Sequence, residues 1–198
     1  MSGYTFRVVG LDLSLTSSGM SDGVYHRAVQ THPGGQLEER MGAVVTRSMM
    51  FVRGDRLDAP YADLVVIEGG AFSRGAQSKG AEVLSALRFM VRYSLWDVRV
   101  PFAMVTPTGL KLYTSGTGTA TKARMVQAVR ERHDIDLSHI KVKDGRYDMA
   151  DACALAAMGY ARLGQPMPTE GPPPPRASLN AVAWPDNIDS IASKGHTS

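Results

Sequence analysis

The fold of this chain is decided by one stretch, Phe6-Arg7-Val8-Val9-Gly10-Leu11-Asp12-Leu13-Ser14-Leu15, which predicts a strand buried on both faces. Side chains alternate along a strand, so Gly10 and Asp12 would share one face, and the opposite face would carry Val9, Leu11, Leu13 and Leu15. A carboxylate in such a place is costly unless a cation or strong donors compensate it. Gly10, one pleat from Asp12, leaves room for a ligand to approach the backbone. The alternative is a strand-end aspartate that accepts hydrogen bonds from the next turn.

The composition fits one ordinary globular domain. The chain has 198 residues, 43% of them hydrophobic, and a formal net charge of only +3, so a nucleic-acid surface would need local clustering of basic residues. Cys153 is the single cysteine, which excludes an internal disulfide and makes a reducing cytoplasm the expected compartment. The sequence lacks a signal-peptide pattern and any apolar run of membrane-spanning length, so we expect no membrane partner.

Hydrophobic periodicity predicts a mixed sheet flanked by helices. A three-stranded meander would end near Thr31, and later strands are predicted at 64–67 and 98–105. Helices are predicted at about 37–52, 76–96, 122–132 and 147–163, with a Gly/Thr-rich loop from Lys111 to Thr121. This order is the ribonuclease-H-like arrangement, an α/β fold with a mixed five-stranded sheet and helices on both faces. Residues 1–163 would form that domain, and residues 164–198, with prolines at 172–175, a Pro-rich linker and disordered tail.

Three further carboxylates stand in positions as awkward as that of Asp12. Glu68 follows a predicted strand, and ligands of open α/β sheets sit beyond the carboxyl ends of strands. Asp148 and Asp151 are three residues apart at the start of the last predicted helix, so they project from one face. That helix is rich in alanine and can lie close to the sheet. Four converging carboxylates favour a Mg²⁺ or Mn²⁺ site, and simple solvation of exposed acids is the alternative.

Two other readings of the metal ligands stay open at the level of sequence. Asp144 could replace Asp148, although Asp148 keeps helical register with Asp151. His133 and His139 could also be ligands, but their spacing fits no familiar site.

Four short blocks occur in family-like order and spacing: Gly10-Leu11-Asp12, Val66-Ile67-Glu68, the loop Gly116-Thr117-Gly118-Thr119-Ala120-Thr121-Lys122, and Asp148-Met149-Ala150-Asp151-Ala152. With these blocks the chain resembles a bacterial or phage member of the RuvC family of Holliday junction resolvases, over about residues 5 to 163. The resemblance implies a structure-selective endonuclease that cuts four-way DNA junctions by paired symmetric nicks. It also implies a homodimer that uses two Mg²⁺ ions per site, with Mn²⁺ able to substitute.

The resemblance assigns roles to individual residues. It implies that the metal ligands are Asp12, Glu68, Asp148 and Asp151, and that Lys122 is catalytic beside the scissile phosphate. It further implies DNA contacts by Lys111 and Lys122, with Phe72 as a junction wedge. Phe72 lies one residue later than the common family spacing, and packing is its alternative role. Arg74 and Lys79 beside Phe72 could contact backbone phosphates in either case, and the free amides at Gly116 and Gly118, before a predicted helix, independently favour phosphate binding.

Two other functions compete with a nuclease. An actin-like or sugar-kinase-like ATPase also begins with a strand aspartate and a Gly/Ser/Thr turn, but 198 residues leave little room for its second subdomain. The Gly116 to Lys122 loop lacks the glycine spacing of a P-loop, so we expect no nucleotide cofactor. A non-catalytic junction-binding protein is the second rival, and the intact acids argue against it.

Overall fold

The computed structural model describes residues 5–54, 61–70, 79–168, 179–180 and 182–195. Within these residues the strands are β1 (Val8–Asp12), β2 (Ser17–Ser21), β3 (His26–Gln30), β4 (Leu64–Glu68) and β5 (Phe102–Val105). They form a five-stranded sheet in the order β3-β2-β1-β4-β5. The meander β1-β2-β3 is antiparallel, whereas β1, β4 and β5 are parallel. The predicted mixed sheet is confirmed.

Helices cover both faces of the sheet. One face packs against α1 (Leu37–Arg53) and α2 (Lys79–Asp97). The other face packs against α3 (Pro107–Ser115), α4 (Lys122–His133) and α5 (Arg146–Arg162). A 3₁₀ turn (Val142–Asp144) precedes α5, and α6 (Ile188–Ser193) follows later in the chain. None of the helices described is long and apolar enough to cross a membrane.

The side-chain alternation of the first strand matches its sequence pattern. Val9 and Leu11 are fully buried in the core beneath α1 and α2, and Val8 is fully buried in the core beneath α5. The strand is shorter than the quoted stretch, because the chain turns after Asp12. That turn is closed by Ser18, whose hydroxyl donates to the Ser14 carbonyl and accepts from the Ser14 amide. β1 is therefore central and buried on both sides.

Two predicted boundaries are wrong, and both have local causes. Lys111 lies in α3 and not in a loop, because Pro107 starts the helix and the Thr106 hydroxyl accepts a hydrogen bond from the Gly109 amide. β5 begins only at Phe102, because Arg99 takes a left-handed conformation with φ 58° and turns the chain before the strand.

The expectation of a disordered tail is wrong for residues 179–180 and 182–195. The tail joins the core beneath α5 through Leu179, Val182, Ile188 and Ile191. Ala183 pairs with Met104 through two backbone hydrogen bonds of 3.2 Å, and Arg162 meets Asp189 at 2.6 Å. β5 is the edge strand of the described sheet, so its outer backbone groups are open to such pairing. The domain boundary at residue 163 stays a prediction.

Candidate metal centre

Asp12 and Glu68 lie at the same edge of the sheet because their strands are parallel neighbours. The register pairs Leu11 with Ile67, so the next residue of each strand carries its carboxylate at the carboxyl edge. The two acids are 56 residues apart in sequence, and the parallel pairing of β1 with β4 is what makes them adjacent. This edge is where ligands of α/β sheets bind.

Two glycines allow α5 to approach this edge. A Cβ atom on Gly10 would lie 2.0 Å from the Ala152 carbonyl oxygen, and one on Gly19 would lie 1.9 Å from the Asp148 carbonyl oxygen. The backbone of α5 therefore occupies the space above β1 and β2. This corrects the sequence interpretation of Gly10, because a helix and not a ligand fills the room that it leaves. The close approach carries Asp148 and Asp151 to the end of β1.

The four acids interact through their charges. Burial raises the pKa of Asp12 well above its ordinary value, and the carboxylates of Glu68, Asp151 and Asp148 raise it further. Burial also raises the pKa of Asp151 to about 7, with Glu68 adding repulsion. The pKa of Glu68 is raised by burial, while basic neighbours oppose the shift. The structure thus brings all four predicted acids together in one repulsive cluster.

Two lysines partly compensate this cluster. Lys122 is the first residue of α4, where Thr121 caps the helix by accepting a hydrogen bond from the Arg124 amide at 3.2 Å. Its ammonium nitrogen lies 5.7 Å from the ring centre of Tyr147, the residue before Asp148. Lys122 attracts the charges of Asp12, Glu68 and Asp151, and Lys111 attracts the last two. Both lysines therefore act on the site from the face of the sheet that α3, α4 and α5 cover.

The other residues predicted to contact DNA are two glycines, which the structure describes, and three side chains, which it does not. Gly116 ends α3 in a left-handed conformation with φ 82°, and a Cβ atom on Gly118 would meet the Thr108 methyl at 2.7 Å. The backbone conformation of Gly116 and the crowding at Gly118 explain both glycines by local structure, and their amide contacts to DNA stay a prediction. Phe72 and Arg74 lie outside the described residues, and so does the side chain of Lys79 at the start of α2.

The alternative ligands receive no support. Asp144 is exposed in the 3₁₀ turn before α5, and its charge does not contribute to the raised pKa of Asp12. His133 is buried in α4, where burial and then Arg132 lower its pKa to about 4, so its imidazole is neutral at pH 7. His139 is exposed.

Sequence reasoning missed two side chains that hold the acids in place. The Ser17 hydroxyl donates a hydrogen bond to an Asp148 carboxylate oxygen. Arg88, from α2, donates through Nε to the Glu68 carbonyl oxygen at 3.0 Å. A signal existed for Arg88, since it adjoins Leu87 in the inward-facing stripe of a helix, where a charged residue needs a partner.

The donor set fits a hard divalent cation. All four acids offer carboxylate oxygen, the donor that Mg²⁺ and Mn²⁺ prefer, and their mutual repulsion favours an added positive charge. In the part of the chain that the structure describes, no three His, Cys, Asp or Glu side chains are yet gathered as one ion requires.

Comparison with known proteins identifies the fold. No protein-family model matches the chain, and none of the curated proteins matches it. Among solved structures the chain is similar to Thermus thermophilus RuvC in complex with Holliday junction substrate, with a TM-score of 0.60 and 23% identity over 82% of this chain and 99% of that one. It is also similar to a Thermus thermophilus RuvC structure, with a TM-score of 0.56 and 22% identity over 85% of this chain and 99% of that one. The chain has the ribonuclease-H-like fold of the RuvC Holliday junction resolvases.

Proposed function

We propose that this chain is a metal-dependent, structure-selective DNA endonuclease that resolves four-way junctions by paired symmetric nicks. The observation that carries the proposal is the cluster of four acids at the carboxyl edge of the sheet, with two lysines beside it. The fold supports the same function, because a similar structure is a RuvC protein in complex with Holliday junction substrate. A non-catalytic junction-binding protein gives no reason for four clustered acids whose repulsion bound protons or cations relieve, and 198 residues leave little room for the second subdomain of the ATPase.

The residues divide the chemistry between them. Asp12, Glu68, Asp148 and Asp151 would hold two Mg²⁺ ions, or Mn²⁺ in their place. When bound, such ions activate an attacking water and stabilise the leaving oxygen of a phosphodiester. Lys122 would balance the charge that develops on the phosphate, and Lys111 would contact the DNA backbone. Ser17 would hold the Asp148 carboxylate by its hydrogen bond.

A homodimer would supply two such sites to one junction. On α2 the side chains of Phe89, Tyr93 and Trp96 are 63%, 56% and 68% exposed, and their spacing of four and three residues places them in one stripe. The rings of Tyr93 and Trp96 lie 5.8 Å apart, which makes the stripe continuous. A second copy would cover it, and a two-fold dimer matches the approximate two-fold symmetry of a four-way junction.

The test is cleavage of a four-way junction labelled on each strand in turn, with Mg²⁺. We expect symmetric nicks in opposite strands, and we expect Asp12→Asn to abolish them while junction binding is retained, because the variant loses a metal ligand and a negative charge near the phosphate. Asp144→Asn is the matched control, since it removes an exposed carboxylate close to α5 in sequence, and it should cleave normally.

Three outcomes would contradict the proposal. Junction binding by the wild-type protein without cleavage would favour the non-catalytic junction-binding protein. ATP hydrolysis without cleavage would favour the ATPase. Near-normal cleavage by Asp12→Asn would remove Asp12 from the metal centre.

A further inference from the structure

Arg88 is a residue of α2 whose side chain reaches the end of β4, beside the metal centre. Its neighbours Leu87 and Val91 are fully buried, and Arg88 itself is half-buried at the border of this inward face. Its Nε atom donates to the backbone carbonyl of Glu68 at 3.0 Å. Within the described residues its two terminal nitrogens have no hydrogen-bond partner. Burying part of a guanidinium is costly unless hydrogen bonds and charge partners compensate it.

Two hydrogen bonds hold the backbone at the end of β4, and Arg88 donates one of them. The amide after Glu68, that of Gly69, donates to the Val105 carbonyl of β5 at 2.7 Å. The peptide unit that follows Glu68 is thus held by the sheet through its N–H and by α2 through its C=O. The guanidinium also attracts the carboxylates of Glu68 and Asp12. One side chain therefore contacts the backbone that carries the acid and neutralises part of its charge.

We propose that Arg88 is a positioning residue that holds Glu68 in place for the cation and mechanically couples the metal centre to α2. The inference rests on the proposed function, since Glu68 is taken there as a ligand. It extends that function, because α2 also carries the stripe of Phe89, Tyr93 and Trp96 that a second copy would cover.

The change in cation affinity on removing Arg88 separates a positioning role from that of a positive charge that merely lies nearby. A positive charge near a cation site repels the cation, so removing a bystander arginine would strengthen cation binding. Removing a positioning residue weakens it, and loss of a partner behind a metal ligand typically costs about 10–100-fold in metal affinity. A third role, direct contact with a phosphate, would weaken DNA binding and leave the affinity of the free protein for the cation intact or stronger.

The experiment measures Mn²⁺ binding to the full-length protein by electron paramagnetic resonance, without DNA. Arg88→Met should weaken Mn²⁺ binding about 10-fold or more, and Arg88→Lys, which keeps the charge but not the planar fork, should give an intermediate loss. Arg92→Met is the matched control. Arg92 lies one turn further along the same helix, is exposed, and stacks over Phe102 at 5.5 Å, so its loss should leave Mn²⁺ binding unchanged.

Two further assays complete the test. Single-turnover junction cleavage at saturating protein should fall for Arg88→Met at fixed Mn²⁺ and recover in part at high Mn²⁺, whereas junction affinity measured in Ca²⁺ should stay within about 2-fold of wild type, since few phosphate contacts change. Circular dichroism checks the fold. If Arg88→Met does not fold, Arg88→Lys carries the test, and its weakened Mn²⁺ binding supports the proposal while wild-type binding overturns it.

Unchanged or tighter Mn²⁺ binding by Arg88→Met would overturn the positioning role. If junction affinity were also reduced, Arg88 would instead be a residue that contacts phosphate. A wild-type protein that neither binds Mn²⁺ nor cuts junctions would overturn the proposed function together with this inference. A wild-type protein that does both, beside an Arg88→Met variant that matches it, would overturn the inference alone.

Discussion

At the scale of single residues, the site is defined by acids whose ionised forms are destabilised by burial and mutual repulsion in the folded protein. Burial raises the pKa of both Asp12 and Asp151, and the Glu68 and Asp148 carboxylates raise both further. Two lysines and Arg88 offset only part of the repulsion. As a consequence, the four acids at this site favour the binding of either protons or cations.

The pH dependence of stability should reveal this tendency. The pKa of Asp151 is raised from 3.8 to about 7, so between these two pH values the folded state holds a proton that the unfolded state has lost. This contribution to stability is fully present below pH 3.8 and is lost as the pH rises through about 7. We expect the metal-free melting temperature to fall over that window, and to fall less in Asp151→Asn. Thermal denaturation in chelator at pH 5 and pH 8 measures it, with Asp144→Asn as the control.

Addition of Mn²⁺ at pH 8 should restore the melting temperature of the wild type, because the cation replaces the lost proton as the neutralising charge. Asp151→Asn should gain less from the ion. Equal stabilisation of both proteins would contradict Asp151 as a ligand.

Lys122→Ala should slow cleavage far more than it weakens binding. Under the proposed function, binding is spread over several phosphate contacts and loses little with one charge, whereas removal of one donor that stabilises transition-state charge typically costs about 10²–10³ in rate. The measurement is single-turnover cleavage at saturating protein, beside a binding titration in Ca²⁺. An unchanged saturating rate with lowered affinity would make Lys122 a phosphate anchor, and Lys141→Ala, an exposed lysine before the 3₁₀ turn, is the control.

At the scale of elements, the decisive event is the approach of α5 to β1 and β2. The helix meets the two strands at Gly10 and Gly19, where its backbone fills the space of the missing side chains. Its own residues here are small and buried, among them Ala152 and Ala156. The position of Asp148 and Asp151 is therefore set by the depth to which one helix can sink onto the sheet.

Gly10→Ala should lift α5 from the sheet. The added Cβ would meet the Ala152 carbonyl oxygen at 2.0 Å, a backbone atom that cannot move alone, so we expect a loss of about 1–3 kcal/mol or more in unfolding free energy, with loss of cleavage. Gly42→Ala in α1 is the control, because nothing lies within 4 Å of its Cβ position and the substitution should stabilise the helix by about 0.5–1 kcal/mol. Urea denaturation measures both, and a stable, active Gly10→Ala protein would contradict this packing.

At the scale of the whole molecule, the chain closes on itself. Residues 182–195 return to the core beneath α5, and Ala183 extends the sheet beside β5. Gly195 ends near Phe6, since a Cβ atom there would lie 2.9 Å from the Phe6 ring. The last described residues therefore lie beside the first ones.

Loss of the tail contacts should destabilise the whole protein. Ile191 is 4% exposed, so Ile191→Ala should lower the unfolding free energy by about 2–5 kcal/mol through lost burial and a cavity. Ser190→Ala, an exposed neighbour in the same helix, should change it by less than about 0.5 kcal/mol. Urea denaturation compares the two variants. A negligible effect of Ile191→Ala would restore the expectation of a disordered tail.

The sequence by itself determined the local features. Alternation in the first strand places Asp12 opposite Leu11, and the spacing of Asp148 and Asp151 puts them on one helical face, because periods of 2.0 and 3.6 residues are written into neighbouring residues. The order of elements and the short blocks indicated the ribonuclease-H-like fold, which the structure has. These features depend on contacts within a few residues along the chain.

Only the tertiary structure decided what meets across the chain. Gly19 contacts Asp148, which is 129 positions away in sequence, and Arg88 binds Glu68, which is 20 positions away. Ile191 packs into a core whose helix α5 ends more than 25 positions earlier. The proline run favoured a free tail, but the burial of four apolar side chains against α5 overrode that local preference. No pattern in neighbouring residues encodes such contacts, because their free energy comes from surfaces that exist only once the sheet and α5 have assembled.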